Sequence, residues 1–202
     1  MSLTPFLEIL FKTDEAITTV KHIRQYGSKC SSIIEFGVRG GGTAIAFFQA
    51  QLDGFTGAKW KPRYVGVDLV NDDSINNLQQ VAEKHNISFE FWQGHTKNFP
   101  VFKADALVWD TFHCGGALSA DLERLSLHIN KYIFIIGVRI YGIESEAVKR
   151  NLDLAQVAKE IHSDVEGARM GMRIAISDFI SKHKDWTIAC EYAELTILAK
   201  KI

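Results

Sequence analysis

Residues 31–36 (Ser-Ser-Ile-Ile-Glu-Phe) form a short, mostly apolar run that breaks into Gly37-Val-Arg-Gly-Gly-Gly42 and resumes as Thr43-Ala-Ile-Ala-Phe-Phe-Gln-Ala. That pattern predicts a strand over 31–36, a glycine-rich turn and a helix over 42–52. A helix precedes it, started by Thr13 or Asp14 and running to about Ser28. After a loop to residue 62 come strand 63–68, helix 74–85 and strand 87–92. Strand 105–109 (Asp-Ala-Leu-Val-Trp) leads into Asp110. Helix 116–128 follows, with Leu118, Leu122, Leu125 and Leu127 as its apolar face. Tyr132-Ile-Phe-Ile-Ile136 is a continuous apolar run, the mark of a strand covered on both faces. Ser145 is placed to cap a helix to about Ile161, where Val148, Leu152, Ala155 and Ala158 fall at three- and four-residue spacing. A further helix is predicted over 167–183. The chain then alternates through 186–192 and 195–200 around Ala193-Glu194, an antiparallel hairpin.

Strands separated by helices, closed by a hairpin, predict an α/β fold. It is a Rossmann-like, doubly wound sheet of about seven strands, mostly parallel with a C-terminal antiparallel hairpin. The three prolines (Pro5, Pro62, Pro100) stand where elements should break. With 202 residues, 47% hydrophobic and 23% charged, the chain can bury one sizeable core, so a single domain over 1–202 is expected. Within it, 1–30 is a leading helical segment and 139–166 the least patterned stretch, read as a variable insert. Residues 53–62 read as surface slack, or as a substrate or partner contact. A formal charge of −1 offers no field for a phosphate backbone, so nucleic acid is not an expected partner. Cys30, Cys114 and Cys190 are scattered with no C-x-x-C, which predicts reduced thiols and no zinc. No apolar run reaches the roughly 18 residues of a membrane span, and the first residues lack a basic leader. A soluble, cytoplasmic protein is therefore expected.

The glycine turn bears on the ligand. A dinucleotide site needs G-x-G-x-x-G, so that a diphosphate meets bare backbone at a helix start. Counting from Gly37, the third position is Arg39, which weakens that reading. Glu35, two residues ahead of the turn, would repel phosphate but suits the ammonium of an amino acid, which points to S-adenosylmethionine. Asp68 ends the next strand, 26 residues after Gly42. There it is placed to take both hydroxyls of a ribose, in a dinucleotide or an S-adenosylmethionine site alike. Taken alone it is equally an ordinary turn or helix-cap aspartate.

Three segments together carry a resemblance: Glu35-Phe-Gly-Val-Arg-Gly-Gly-Gly-Thr43, Asp105-Ala-Leu-Val-Trp-Asp-Thr-Phe-His113, and the tail from Gly171 to Ile202. They resemble class I S-adenosylmethionine-dependent methyltransferases. Within these they are most similar to the small-molecule and sugar O-methyltransferase group related to macrocin O-methyltransferases and cephalosporin hydroxylase-like proteins, where a strand ends in Asp-x-x-His. The resemblance implies S-adenosylmethionine as cofactor and a hydroxyl of a small molecule or sugar as methyl acceptor. It places Glu35, Gly37 and Gly41 at the methionine end, Asp68 at the ribose and Gly94, His95 and Thr96 at the adenine, with Arg39, Thr43 and Leu69 as further cofactor contacts. Asp110 would face the sulfonium and the acceptor, with His113 beside it as a candidate general base, since imidazole titrates near working pH; a histidine before Cys-Gly-Gly at a strand-to-helix turn reads alternatively as a local cap or hydrogen-bond partner.

One departure stands out. Where such relatives tend to carry His-Asp or Asp-Asp after the fifth strand, this chain has Gly137-Val138-Arg139, so the second acid is absent. A divalent cation needs several oxygen ligands, so no catalytic metal is expected. The same departure keeps open a catalytically silent relative, acting as a binding or scaffolding subunit or a homo-oligomer. Arg139 is either a contact for an acidic acceptor or a solvated strand-end arginine. His22, His85, His128, His162 and His183 read as wet-face residues. Trp109 reads as core, Trp92 as core or ligand wall. Glu144 and Glu146 read as first-turn acids favoured by the helix dipole, with no role in the site.

Overall fold

In the computed structural model the described residues are Leu3, 12–55 and 57–201. The break expected at Pro5 and most of the opening stretch of the leading segment lie outside them. Helix α1 (Asp14–Gly27) starts where the Thr13 side chain accepts the Ala16 N–H, with Asp14 and Glu15 against the positive end of the helix dipole. It lies on α2 (Gly42–Phe55) so closely that a Cβ at Gly27 would stand 3.0 Å from that of Ala50. Strand β1 (Ser32–Phe36) precedes α2. After it come β2 (Arg63–Asp68), α3 (Asp73–Lys84, capped by Asp72), β3 (Ser88–Gln93), β4 (Ala104–Trp109), α4 (Gly115–Leu125) and β5 (Ile129–Ile136). Helix α2 runs three residues past its expected end, which shortens the 53–62 loop.

The seven strands order as β3-β2-β1-β4-β5-β7-β6, where β6 is Trp186–Tyr192 and β7 Leu195–Lys200. Pairs among β1 to β5 are parallel; β7 runs antiparallel between β5 and β6. The chain moves outward from β1 to β3 and then returns to β4. The β1/β4 boundary is therefore the switch point, outside whose carboxyl ends an open α/β sheet leaves a crevice.

Alternation along each strand sends side chains to two cores. One face carries Ile33, Tyr64, Val108 and Phe134 under Ala44, Phe47 and Phe48 of α2. The other carries Ile34, Phe36, Trp109 and Ile135 under Leu118 and Leu122 of α4 and Phe179 of α9 (Met172–Lys182). Trp109 is fully buried, and its indole N–H donates to Asp121 at 3.0 Å.

The region after β5 departs most from expectation. A short helix, α5 (Val138–Tyr141), follows Gly137 directly. The single helix expected over 145–161 is two, α6 (Glu146–Lys149) and α7 (Leu154–Glu160). Asn151 turns into the left-handed region (φ 52°), and Asp153 starts α7 by accepting the Ala155 and Gln156 N–H groups. The helix expected over 167–183 is likewise divided, into α8 (Val165–Arg169) and α9. The break falls at Gly171, whose backbone passes so close to Gly142 and Ile143 that a Cβ would stand 2.3 Å from either carbonyl oxygen. Helices α6 to α8 form their own small core from Ala147, Val157, Ala158 and Ala168, joined by Phe112 from the end of β4. Among the described residues no helix is long and apolar enough to cross a membrane.

Candidate active site

The tips of β1, β2 and β4 are tied together past their last paired residues. Gly37 N–H donates to the Val67 carbonyl and Asp110 N–H to the Phe36 carbonyl, each at 2.9 Å. Gly37 sits at φ 87°, and a Cβ there would lie 1.9 Å from the Asp110 carbonyl oxygen, so only glycine allows this approach. Arg39 follows in the left-handed region at φ 40°, and its N–H donates to Asp68 Oδ2 at 3.0 Å. Asp68 Oδ1 accepts the Val70 N–H at 3.1 Å, and the Asp68 carbonyl accepts the Gly94 N–H at 2.8 Å. One carboxylate thus joins the glycine turn to the β2 loop.

These loops enclose a cleft of about 230 Å³ lined by Gly37, Arg39, Asp68, Leu69, Gly94 and His95, together with Val67, Thr96, Thr111 and Phe112. Seven of the residues singled out in the sequence, Thr96 among them, therefore meet on one cavity, although they come from three separate loops. The imidazole of His95 accepts the Lys97 N–H at 3.3 Å. Partial burial, then the neighbouring Lys97 and His162 charges, hold its pKa below the usual histidine value. Lys97 also contacts His162 Nε2, so His162 fastens the 142–171 segment to the rim of the cleft.

Other expected contacts lie elsewhere. Glu35 is fully buried on the α2 side of the sheet, where its Oε2 accepts the Tyr64 hydroxyl at 2.8 Å. Burial raises its pKa well above the usual carboxyl range, and the Tyr64 bond offsets this only in part. Its Oε1 has no partner among the described residues. Gly41 packs on Leu78, and Thr43 is in the first turn of α2; neither lines the cleft. Trp92 packs edge-on to Phe99 at 5.6 Å and joins the core. Arg139 is engaged by Glu194 at 2.9 Å and Glu15 at 2.8 Å, a surface network that accounts for its charge without an acceptor. Residues 53–62 border a separate recess of about 500 Å³ at the amino ends of β2 and β3, around Gln49, Asp53, Trp60 and Lys84. That larger cavity opens at the opposite end of the strands from their carboxyl tips.

Beside the cleft, Asp110 and His113 do meet. His113 Nε2 lies 3.3 Å from Asp110 Oδ1, within ion-pair range but not aligned as a hydrogen bond. Its Nδ1 is 3.0 Å from Glu146 Oε2, the same oxygen accepts the His113 backbone N–H at 3.1 Å, and Glu146 N–H donates to the His113 carbonyl at 2.7 Å. Glu146 is thus a component of the site and not a plain first-turn acid. Although burial acts to raise its pKa, hydrogen bonds from Arg150 and His113 outweigh this and hold it below the usual carboxyl value. The imidazole stacks on Tyr141 with ring centroids 4.8 Å apart. Gly137 (φ 83°) makes room for it: a Cβ there would stand 2.5 Å from His113 Cδ2. The ring thus occupies the space that a side chain on residue 137 would need. Among the described residues no group of three or more His, Cys, Asp or Glu side chains is arranged to hold a metal ion.

A switch-point cleft with a glycine turn, an acid at the tip of β2 and a reversed seventh strand defines the class I methyltransferase fold. Solved structures with the same architecture include an SAH-bound methyltransferase of Podospora anserina (TM-score 0.57, 12% identity, over 92% of this chain and 77% of that one). An O-methyltransferase of Bacillus cereus in complex with SAH matches at TM-score 0.53 and 15% identity, over 92% and 79%. The O-methyltransferase TomG of Streptomyces achromogenes, in complex with SAM, matches at 0.53 and 13%, over 91% and 78%. No family model and no curated protein matches the chain.

Proposed function

We propose that the chain is an S-adenosylmethionine-dependent methyltransferase acting on a hydroxyl of a small molecule or sugar. The observation that carries this is the convergence of the bare Gly37 turn, the Asp68 carboxylate and the Asp110–His113 pair on the carboxyl ends of three adjacent strands. The residues present fit the cofactor. Each Asp68 oxygen spends one acceptor site on a backbone N–H and keeps another for a ribose hydroxyl. Leu69, exposed beside it, offers an apolar surface to a nucleoside. The absence of a Cβ at Gly37 lets the Asp110 backbone close against the turn, which brings Asp110 to the edge of the cleft that Gly37 lines. Structural neighbours crystallised with SAM or SAH support the same ligand.

When bound, S-adenosylmethionine supplies a methyl group on a positively charged sulfur. The protein's own work is to hold that group and the acceptor oxygen in line, which supplies much of the acceleration in such displacements, and to remove the hydroxyl proton. Asp68 anchors, the glycine turn excludes bulk, and the Asp110–His113 pair takes the proton. Isothermal titration with S-adenosylmethionine and S-adenosylhomocysteine should show saturable binding of both. A screen of phenol and sugar hydroxyl acceptors should then show release of S-adenosylhomocysteine. Absence of binding of either at millimolar ligand would sink the proposal, and enhancement of NADH fluorescence would replace the cofactor. His113→Ala should bind S-adenosylhomocysteine normally and lose turnover.

A further inference from the structure

His113 is enclosed in a way that a base meeting an acceptor directly should not be. Its Nε2 reaches no solvent and makes no hydrogen bond, whereas the Asp110 side chain is 26% exposed. The imidazole is gripped by Tyr141 on one face, by Trp109 edge-on with ring centroids 6.1 Å apart, and by the Cβ-free Gly137. Its tautomer follows from Glu146. The His113 backbone N–H can only donate, so the Glu146 oxygen it meets must be an acceptor. That same oxygen faces Nδ1, which must then carry the hydrogen. The other Glu146 oxygen faces the Arg150 guanidinium at 2.7 Å, again a donor with no acceptor capacity. A carboxylate satisfies both sides.

In the neutral ring, with its one hydrogen on Nδ1, Nε2 presents a lone pair to a carboxylate oxygen 3.3 Å away, two acceptors with nothing between them. That contact is short of one proton. We propose that Glu146 is a positioning residue that holds His113 in its Nδ1–H form, so that Asp110 meets the acceptor and Nε2 receives the proton from Asp110. This rests on the methyl-transfer reading above. In the step, the acceptor O–H bond breaks and its proton passes through Asp110 to Nε2. The freed oxygen pair bonds to the methyl carbon, and the carbon–sulfur bond breaks with its electrons left on sulfur. The imidazolium then lies between two carboxylates and returns its proton to water after product leaves. Charged or titratable groups on the packed elements are Asp110 after β4, Tyr141 on α5, Cys114 at the start of α4, Glu146 on α6 and, through Glu146, Arg150.

The test is nitrogen-15 NMR of the full chain labelled at histidine, with His113 assigned by a His113→Gln variant and read where the ring is neutral. The wild type should show the Nδ1–H form. Glu146→Gln should keep it, because the buried backbone N–H still demands an oxygen there and the exposed Arg150 guanidinium can swing away from the new NH2 group, while Glu146→Ala should let it decay to a mixture. With an acceptor from the screen, Glu146→Ala should lower kcat about 10- to 100-fold and leave S-adenosylhomocysteine affinity within about twofold, whereas Glu146→Gln retains most turnover. An Nε2–H form in the wild type overturns the proposal, as does an unchanged tautomer in Glu146→Ala; the wild-type spectrum decides even if that variant does not fold. A wild type that shows the Nδ1–H form but binds no S-adenosylhomocysteine would instead refute the methyl-transfer reading and leave the hold of Glu146 on His113 standing.

Discussion

Replacing Asp68 by alanine removes a carboxylate with two separable tasks. The first is structural: its oxygens accept the Arg39 and Val70 N–H groups at 3.0 and 3.1 Å, tying the glycine turn to the β2 loop. Both bonds are exposed, so water replaces the lost acceptor and the net cost to folding should be only about 1 kcal/mol, not the full value of two charge-assisted bonds. The second task is the ribose. Hydrogen bonds to a charged acceptor contribute about 1.5–3 kcal/mol, which at about 1.4 kcal/mol per decade is a loss of roughly 10- to 150-fold in affinity. Urea denaturation reads the first term and titration with S-adenosylhomocysteine the second. Asp68→Asn keeps one oxygen and should fall between. If Asp68→Ala loses stability as expected but binds S-adenosylhomocysteine within about twofold of wild type, the carboxylate belongs to the turn alone and the ribose assignment is wrong.

Gly137→Ala should cost about 1–3 kcal/mol and displace His113, because an L-residue is strained at φ 83° and its Cβ would press on the imidazole; a loss under about 0.5 kcal/mol by urea denaturation would refute that. Burial raises the Glu35 pKa in the folded state above its ordinary 4.5, so the stability it contributes is complete below that value and drains as pH rises toward the raised one, by up to ~1.4 kcal/mol per pH unit. Glu35→Gln keeps an acceptor for the Tyr64 hydroxyl and cannot titrate, so its urea midpoint should vary less with pH; parallel wild-type and variant curves would contradict the assignment. Burial pushes the Cys30 thiol up to about 12 and Cys114 to about 11, which leaves almost no thiolate. Ellman's reagent should therefore react promptly with Cys190 alone in the native protein and with all three cysteines after unfolding. Rapid reaction of a second native thiol would show that one of the buried pair is open.

The central strands β1, β2 and β4 were legible because each buries both faces and so reads as an apolar run, while the more exposed edge strands β3 and β6 were legible from β-branched and aromatic residues bounded by turns. Helices α1, α3 and α4 were legible because each has one wet face, and α2, buried from Ala44 to Gln51, was legible from the glycine turn that opens it. Gly37 and Asp68 were legible too, since a turn after β1 and an acid ending β2 are local features. After Ile136 the periodic signal misled: Val148, Leu152 and Ala155 keep helical spacing across a segment that Asn151 and Asp153 divide. The helix is broken there by a left-handed residue and a new cap, neither of which alters the spacing of apolar side chains.

What the sequence alone determined is thus the α/β sheet, its C-terminal hairpin and the glycine turn, all properties of contiguous residues. Only the tertiary structure decided that Glu35 lies beneath α2 and outside the cleft, that Arg139 is neutralised by Glu15 and Glu194, and that Glu146 grips His113. Glu146 and His113 are 33 residues apart, and an acid in the first turn of a helix is expected from the dipole whether or not it touches anything else. Their meeting depends on a glycine at 137 small enough to admit a ring, and on a helix break that turns α6 back over the tip of β4. Such a contact leaves no period in the sequence, because it is set by where two distant elements pack.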